Sequence, residues 1–120
     1  MKVIHLKVTE SYYTILGDEK KYTNCPITLL HHYIDGPVEK FVLRYIEWRE
    51  TFEYQLKKQP QGNFYGTAIS LPNNEVFPDS SLSLIYTVDE GKYSVQGKYQ
   101  EEDFIGEWFI KAEVDKKFEI

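Results

Sequence analysis

The chain of 120 residues is long enough to bury one core and too short for two, so the sequence predicts a single domain over residues 1–120. Its formal net charge of −5 argues against a nucleic-acid partner, because phosphate binding draws on clustered Lys and Arg. The acidity lies in the second half of the chain. Residues 61–120 contain 5 basic and 11 acidic side chains, whereas residues 1–60 contain 9 basic and 8 acidic ones. That asymmetry favours a basic protein as a partner over an acidic one.

Cysteine content and hydropathy indicate the compartment. Cys25 is the only cysteine, so no intramolecular disulfide is expected, and no long apolar segment with a cleavage site follows Met1. No run approaches the roughly 18 apolar residues of a membrane helix. We therefore expect a cytoplasmic protein with no membrane partner.

The first third of the chain predicts three strands. Val3 to Val8 alternates apolar and polar residues, and Tyr12 to Leu16 continues in extended form to the turn at Gly17-Asp18. Ile27 to Ile34 is a β-branched and apolar run that ends at Asp35-Gly36-Pro37. These segments predict two N-terminal strands and a third after a polar loop.

The segment from Val38 to Lys58 fits two interpretations. A helix at about 37–58 would gain from Pro37 in its first turn, but it would leave Leu43 and Tyr54 on the wet side. Two alternating strands with a break near Trp48 to Glu50 would instead place both Leu43 and Tyr54 on the apolar face. We favour the two strands and keep an α+β fold as an alternative.

The remaining chain alternates strand-like runs with turn residues, and all five prolines lie between the predicted strands. About nine short strands at roughly 8 to 12 residue spacing predict an all-β antiparallel meander that forms a curled or closed barrel, calycin-like in architecture. A β-sandwich is the alternative. The later strands are predicted at Phe64 to Leu71, Leu82 to Val88, Tyr93 to Tyr99 and Phe104 to Val114.

Two glycines support a curled sheet over a flat one. Gly66 and Gly106 each stand third after a polar residue that follows a predicted hairpin turn. Glycine at an inward position lets a strand bend as the sheet coils.

The inward residues of such a barrel either fill the interior or line a pocket. Because a buried Tyr joins an apolar ring to a hydroxyl that needs a partner, the inward tyrosines could line a ligand site. We expect Tyr54, Tyr86, Tyr93, Tyr99 and Trp108 to bind the ligand, with a filled core as the alternative. The full predicted inward set is Phe52, Tyr54, Leu56, Phe64, Leu82, Leu84, Tyr86, Val88, Tyr93, Val95, Tyr99, Phe104, Trp108 and Ile110.

No motif of catalysis or cofactor binding is present, so neither a catalytic residue nor a cofactor is predicted and enzymatic activity is left open. His31 and His32 are neighbours on a strand and point to opposite faces, which argues against a shared metal ion. Glu47, Glu50 and Glu53 lie among Arg and Lys and are expected in surface ion pairs. Gly106-Glu107-Trp108 matches the Gly-x-Trp of lipocalins in letters only, because that triplet belongs to their first barrel strand and here falls in the last.

Two functions follow as expectations. The first is a non-enzymatic binding protein that holds a small apolar or aromatic ligand inside a Tyr-rich barrel. The second is a protein-interaction module, such as an inhibitor or immunity-type subunit, acting on a protein partner or as a homodimer. Its contact surface would draw on the outward residues Tyr65, Ile85, Ile105 and Phe109.

Overall fold

A computed structural model describes residues 1–120 as a closed antiparallel barrel of eight strands without a helix. Each strand pairs with the next in the chain, and β8 pairs with β1 to close the barrel. The predicted all-β meander is confirmed, and the helix at about 37–58 and the sandwich are wrong. The strands are β1 (Lys2–Ile15), β2 (Ile27–Asp35), β3 (Val38–Glu47), β4 (Glu50–Lys58), β5 (Phe64–Leu71), β6 (Glu75–Asp89), β7 (Lys92–Gln100) and β8 (Ile105–Glu119).

The two-residue period explains how the barrel forms. Along β7, Tyr93, Val95, Gly97 and Tyr99 are buried while every residue between them is exposed. A strand with one apolar face must cover that face, and closing the sheet on itself also pairs the backbone groups of both edge strands.

The N-terminal segment is one strand instead of the two predicted. Between Val8 and Glu10 the register of β1 against β8 shifts by one residue, which leaves Thr9 as a bulge. Leu6 points inward before the bulge and Tyr13 points inward after it, so the apolar pattern changes parity within a continuous strand. The prediction took this change of phase for a break between strands.

The middle of the chain confirms the predicted break between β3 and β4. Trp48 and Arg49 form the turn with φ of 51° and 67°. Positive φ at both central residues is typical of the tight hairpin turns that match strand twist.

β6 begins earlier than the predicted Leu82. Thr67 pairs with Ser81, but the next residue, Ala68, pairs with Phe77, so the segment between these two partners is looped out of the ladder. Pro78 therefore lies inside a strand, contrary to the prediction, at a place where its missing N–H costs no ladder hydrogen bond.

The two predicted bend glycines lie where a neighbour approaches closely. A Cβ on Gly66 would overlap the backbone carbonyl of Gln55, and one on Gly106 would overlap the Thr14 carbonyl and the Tyr99 hydroxyl. No other residue type fits at either position without displacing its neighbour.

The interior contains most of the predicted inward set, with two corrections. Val88 and Phe104 are 50% and 49% exposed, because each stands at a strand end beyond the enclosed interior.

The loops that join the strands define two ends of the barrel. The loop end carries the loop 16–26 and the turns 48–49, 72–74 and 101–104, and the terminal end carries both chain termini and the turns 36–37, 59–63 and 90–91.

Candidate ligand-binding cavity

The five predicted ligand residues do not form one site. Tyr54, Tyr99 and Trp108 line a cavity at the loop end. Tyr86 and Tyr93 stack on each other near the terminal end, with ring centroids 5.4 Å apart, and bond to other partners there. The barrel interior therefore has two parts of different character.

The cavity at the loop end has a volume of about 230 Å³. This is below the roughly 300–1,000 Å³ usual for drug-sized ligands, so only a small molecule fits. The lining is mainly aromatic. Its residues are Tyr13, Ile15, Asn24, Cys25, Tyr45, Glu47, Trp48, Tyr54, Tyr99, Glu101, Phe104 and Trp108.

Aromatic rings form the wall by packing on one another. Tyr45 stacks on Tyr54 at 5.7 Å between centroids and meets Trp108 edge to face at 5.2 Å. Tyr13 meets Tyr99 in a second edge-to-face pair at 6.0 Å. Such pairs fix ring orientations beyond what burial alone achieves.

Hydrogen bonds hold most of these rings in place. The Tyr99 hydroxyl donates to the Thr14 carbonyl at 2.7 Å, and Trp108 Nε1 donates to Ser11 Oγ at 2.9 Å. Tyr54 Oη lies 3.1 Å from Ser80 Oγ.

Tyr45 is the exception among the wall tyrosines. The residue is 4% exposed, and its hydroxyl lies beside that of Tyr54 and not beside a backbone or serine oxygen. Burial, and next the Tyr54 hydroxyl, raise the pKa of Tyr45.

Two carboxylates complete the lining. Glu47 follows Tyr45 in the inward row of β3, and Glu101 follows Tyr99 two residues on, just after β7 ends. Burial raises the pKa of Glu47, and burial followed by the charge of Glu47 raises the pKa of Glu101.

Neither carboxylate has a cationic neighbour. Neither Glu47 nor Glu101 takes part in an ion pair or a side-chain hydrogen bond. None of the residues that line the cavity is Lys, Arg or His. The prediction of a surface ion pair is therefore wrong for Glu47.

The other two glutamates of that prediction lie elsewhere. Glu53 is only 6% exposed and accepts a hydrogen bond of 2.7 Å from Arg44 Nε, so its ion pair joins a buried carboxylate to an arginine whose side chain is 43% exposed. Glu50 is exposed at the start of β4 and makes no ion pair.

The Cys25 thiol and the hydroxyls of Tyr13 and Tyr99 stay protonated at neutral pH. Burial, and next the Glu47 charge, raise the pKa of the Cys25 thiol to about 11. Burial with Cys25 raises the pKa of Tyr13 to about 12, and burial with Glu101 raises that of Tyr99 to about 12. A thiol held protonated in this way is a poor nucleophile.

The loop 16–26 covers one side of the cavity and is tied to β1. Tyr22 exchanges two backbone hydrogen bonds with Tyr13, at 2.9 and 2.8 Å, and their rings stack at 5.3 Å. Asn24 Oδ1 accepts from the Tyr13 hydroxyl at 2.6 Å. These contacts place Asn24 and Cys25 at the cavity wall.

The terminal end holds a polar network without unpaired members. His32 is 1% exposed, and its Nε2–H donates to Glu39 at 2.6 Å while its Nδ1 accepts from the Tyr93 hydroxyl at 2.9 Å. Tyr86 donates to the same Glu39 oxygen at 3.0 Å, and Lys58 approaches the other oxygen at 3.4 Å. The ring proton is assigned to His32 Nε2 because the Glu39 carboxylate can only accept a hydrogen bond, and this leaves Nδ1 as the acceptor for Tyr93.

The pKa values of His32 and Glu39 are consistent with the hydrogen bonds of this network. Burial lowers the pKa of His32 against the opposing effect of Glu39, so the ring is neutral. Burial alone would raise the pKa of Glu39, but the hydrogen bonds from His32 and Tyr86 outweigh it and lower the pKa. The polar groups of the network are therefore satisfied within the protein.

His31, next in the chain, lies on the outer face stacked on His5, as the strand period predicted.

Two of the four predicted outward residues, Ile85 and Phe109, lie in one row on the side of the barrel. Phe109 stacks on Tyr12 at 5.0 Å, and the register carries the row through Gln96 to Ile85, which is 57% exposed. Tyr65 and Ile105 are 45% and 50% exposed, and Ile105 lies apart at the loop end.

Sequence reasoning missed most of the cavity lining. Glu47 and Glu101 carried a signal, because the two-residue period of β3 and β7 extends inward to both of them. Tyr13 lies beyond the bulge in β1, and Cys25 lies in a loop, so neither could be placed from the strand period.

Comparisons with known proteins add no assignment: no protein-family model matches the sequence, and no curated protein is significantly similar to it. No helix in the structure could span a membrane.

Proposed function

We propose that the protein is a non-enzymatic binding protein that holds a small ligand with an apolar or aromatic body in the cavity at the loop end. The observation that carries the proposal is a cavity of about 230 Å³ whose wall is mainly aromatic and whose two carboxylates take part in no ion pair. A concave site with aromatic walls and a few polar groups is typical of small-molecule binding.

The rigidity of the cavity wall supports the same proposal. Tyr99 and Trp108 are fixed by hydrogen bonds to β1, so the binding surface is organised before a ligand arrives. A preorganised wall lowers the entropic cost of binding. The half-exposed Phe104 and the 90% exposed Trp48 give the cavity mouth an apolar rim.

The five residues first predicted for the ligand are reduced to three in this proposal. Tyr54, Tyr99 and Trp108 contact the ligand, whereas Tyr86 and Tyr93 serve the polar network at the terminal end. The proposed compartment is a reducing cytoplasm, in keeping with Cys25 as a free, buried thiol.

Fluorescence of Trp108 tests the proposal. The chain has two tryptophans, so Trp48→Phe leaves Trp108 as the only indole, inside the cavity. Titration with phenol, indole and 2-phenylethanol should give a saturable change in emission for at least one compound. Cys25→Phe in the same background places a ring in the cavity and should abolish that change.

A matched control is Phe109→Leu, which alters the outer row and leaves the cavity lining unchanged. The proposal is contradicted if no compound gives a saturable signal, or if Cys25→Phe binds as tightly as its parent while remaining folded by circular dichroism.

An interaction module is a second proposal, favoured by the row of Tyr12, Phe109 and Ile85 on the outer face. Partly exposed aromatic and apolar residues that lie near one another on a surface are typical of interface cores. The partner would be a basic protein, given the net charge of −5, or a second copy of this chain. Sedimentation velocity of the wild type and of Phe109→Lys distinguishes these cases, since a dimer built on this row would dissociate in the variant.

A further inference from the structure

The loop end of the barrel carries a cluster of exposed apolar side chains around the cavity mouth. Trp48 is 90% exposed and Leu16 is 79% exposed, while Phe104 and Ile105 are each half exposed. Trp48 and Phe104 both line the cavity, and the Leu16 N–H donates to the Ile105 carbonyl at 2.7 Å. These four residues form the mouth cluster. Single exposed apolar residues are ordinary on a protein, but a group that includes an almost fully exposed tryptophan is typical of an interaction site.

The turn that presents Trp48 has a backbone suited to other residues. Trp48 and Arg49 adopt φ of 51° and 67°. Positive φ at both central residues of a hairpin turn favours Asn-Gly, because bulky side chains are strained there. Trp and Arg are, however, among the residues most enriched at the hot spots of protein interfaces. The turn therefore accepts a cost in stability and exposes two side chains that suit a protein interface.

The formal net charge of the chain is concentrated at the same end of the barrel. The four connections of the loop end, each taken with one flanking residue on either side, are residues 15–27, 47–50, 71–75 and 100–105. They contain eight acidic and three basic side chains, and the rest of the chain contains eleven of each. None of these eight carboxylates takes part in an ion pair. The mouth cluster therefore lies in a negative potential that attracts a basic surface.

This charge distribution selects among the possible occupants of the mouth cluster. Nucleic acids and the anionic lipids of a membrane surface are repelled by it. A second copy of the chain docked end to end would bring the same acidic connections into contact and is repelled as well. A basic protein is attracted.

We propose that the mouth cluster is the docking site of a basic protein. Apolar residues of the partner cover Trp48, Leu16 and Phe104, and its Lys and Arg side chains meet the surrounding carboxylates. An apolar centre with a charged surround is the usual arrangement of a protein interface. The inference goes beyond the proposed ligand site, because it depends on the outside of the cavity mouth and not on an occupied interior.

Selection from a phage-displayed library of random peptides tests the docking site, with the wild-type protein as bait. The selected peptides should be enriched in Lys and Arg and should also contain apolar residues. Synthetic copies of these peptides should bind the wild type with an affinity that falls as sodium chloride is added, because salt screens the attraction between charges.

A variant of the turn assigns the binding to Trp48 and Arg49. Trp48→Asn combined with Arg49→Gly should weaken peptide binding by at least about tenfold, because hot-spot residues contribute most of the affinity. The same variant gives the turn its favoured Asn-Gly pair, so its melting temperature should rise. A purely structural role of Trp48 would lower the melting temperature instead. Val38→Ser, which removes an exposed apolar residue at the terminal end, is the matched control and should bind the peptides as the wild type does.

A second pair of variants tests the charge. Glu102→Gln combined with Asp103→Asn removes two exposed carboxylates beside Phe104 and should weaken peptide binding by about threefold. Asp89→Asn combined with Glu90→Gln removes the same charge from an exposed turn at the terminal end and should leave binding unchanged.

Each contrary result overturns the inference. Selected peptides without an excess of Lys and Arg, or a selection without a shared sequence, would show that the mouth cluster does not dock a basic protein. Equal binding of the peptides to the Trp48→Asn, Arg49→Gly variant would place their site elsewhere. A wild-type dimer in sedimentation velocity that dissociates in this variant would identify the occupant as a second copy.

Cys25→Phe separates this inference from the proposed function. It fills the cavity and leaves the mouth cluster in place, so peptide binding should be retained while binding of small aromatic compounds is lost. Loss of peptide binding in Cys25→Phe would place the peptides inside the cavity and overturn the docking site. Failure of every small compound to bind the wild type would contradict the ligand site alone.

Discussion

The two ends of the barrel interior differ in whether their polar side chains are paired with one another. At the terminal end, His32, Glu39, Tyr86 and Tyr93 bury polar atoms and pair them with one another. At the loop end, the cavity keeps the two carboxylates of Glu47 and Glu101 without an ion-pair partner. A satisfied network stabilises a fold, whereas unpartnered groups around a cavity cost stability and are typical of a binding site.

The strongest test of this comparison is the loss of His32. His32→Ala removes the partner of both Glu39 and Tyr93 and the ring that stacks on Phe41 at 4.2 Å. We expect the free energy of unfolding to fall by about 3 kcal/mol, measured by urea denaturation. His31→Ala, on the outer face, should cost less than about 1 kcal/mol. Equal losses in the two variants would show that the network is not structural.

Gly106→Ala tests whether the loop-end wall is rigid. The added methyl group overlaps the Thr14 carbonyl and the Tyr99 hydroxyl, so one of them must move. Overpacking of this kind costs about 2 kcal/mol, and it should also break the Tyr99 hydrogen bond. Thermal unfolding measures the loss, and Glu107→Ala, one residue along β8, serves as the mild control. An unchanged melting temperature would mean that the wall adapts freely.

Two tyrosines at the loop end sharpen the comparison within one cavity. Tyr99→Phe removes a hydroxyl that donates to Thr14 and should cost about 1 kcal/mol. Tyr45→Phe removes a hydroxyl that lies beside the Tyr54 hydroxyl, which keeps Ser80 as a partner, so the free energy of unfolding should fall by less than in Tyr99→Phe. Urea denaturation of both variants under one set of conditions measures the difference. A larger loss for Tyr45→Phe would show that the contact between the Tyr45 and Tyr54 hydroxyls is the stronger of the two.

The smallest expected effect concerns the cavity carboxylates. Folding raises the pKa of Glu47 and Glu101, so the folded state binds protons more tightly than the unfolded state does. Stability contributed by the protonated forms is therefore present at low pH and is lost as the pH rises above 4.5.

Glu47→Gln should accordingly be more stable than the wild type at pH 7, by less than about 1 kcal/mol because the group is partly solvated. The difference should vanish near pH 4. The titratable groups that interact with Glu47 are all acids, so no neighbouring cation reverses the sign; they are Tyr13, Cys25, Tyr45, Tyr54, Tyr99 and Glu101. Melting temperatures of the two proteins from pH 4 to pH 8 measure the effect. A Gln variant that is less stable at pH 7 would show that the carboxylate is stabilised by a partner.

The strands of the barrel could be predicted from the sequence where the two-residue alternation is regular, because that alternation depends only on neighbouring residues. β5 was predicted with its full bounds, and β3 and β4 were separated at Trp48 to Glu50. The errors arose at bulges, because Thr9 shifts the phase of β1 and the loop around Pro78 interrupts β6. A bulge needs a partner strand to define it, and that partner is distant in sequence.

The candidate site was predicted less well for the same reason. Tyr54, Tyr99 and Trp108 were identified because inward aromatics can be read from alternation. Which end of the barrel each inward residue occupies depends on the register between strands, and this separated Tyr86 and Tyr93 from the other three.

By itself the sequence determined which side chains face the interior along each regular strand, because successive residues of a strand point to opposite faces. Only the tertiary structure decided how the interior is divided. Closure of β8 on β1 brings Trp108 to Ser11 and Tyr99 to Thr14, and the loop 16–26 delivers Cys25 to the same place. Contacts between residues so far apart in the chain depend on the complete ladder of strands, so a local pattern could predict an interior but not the cavity within it.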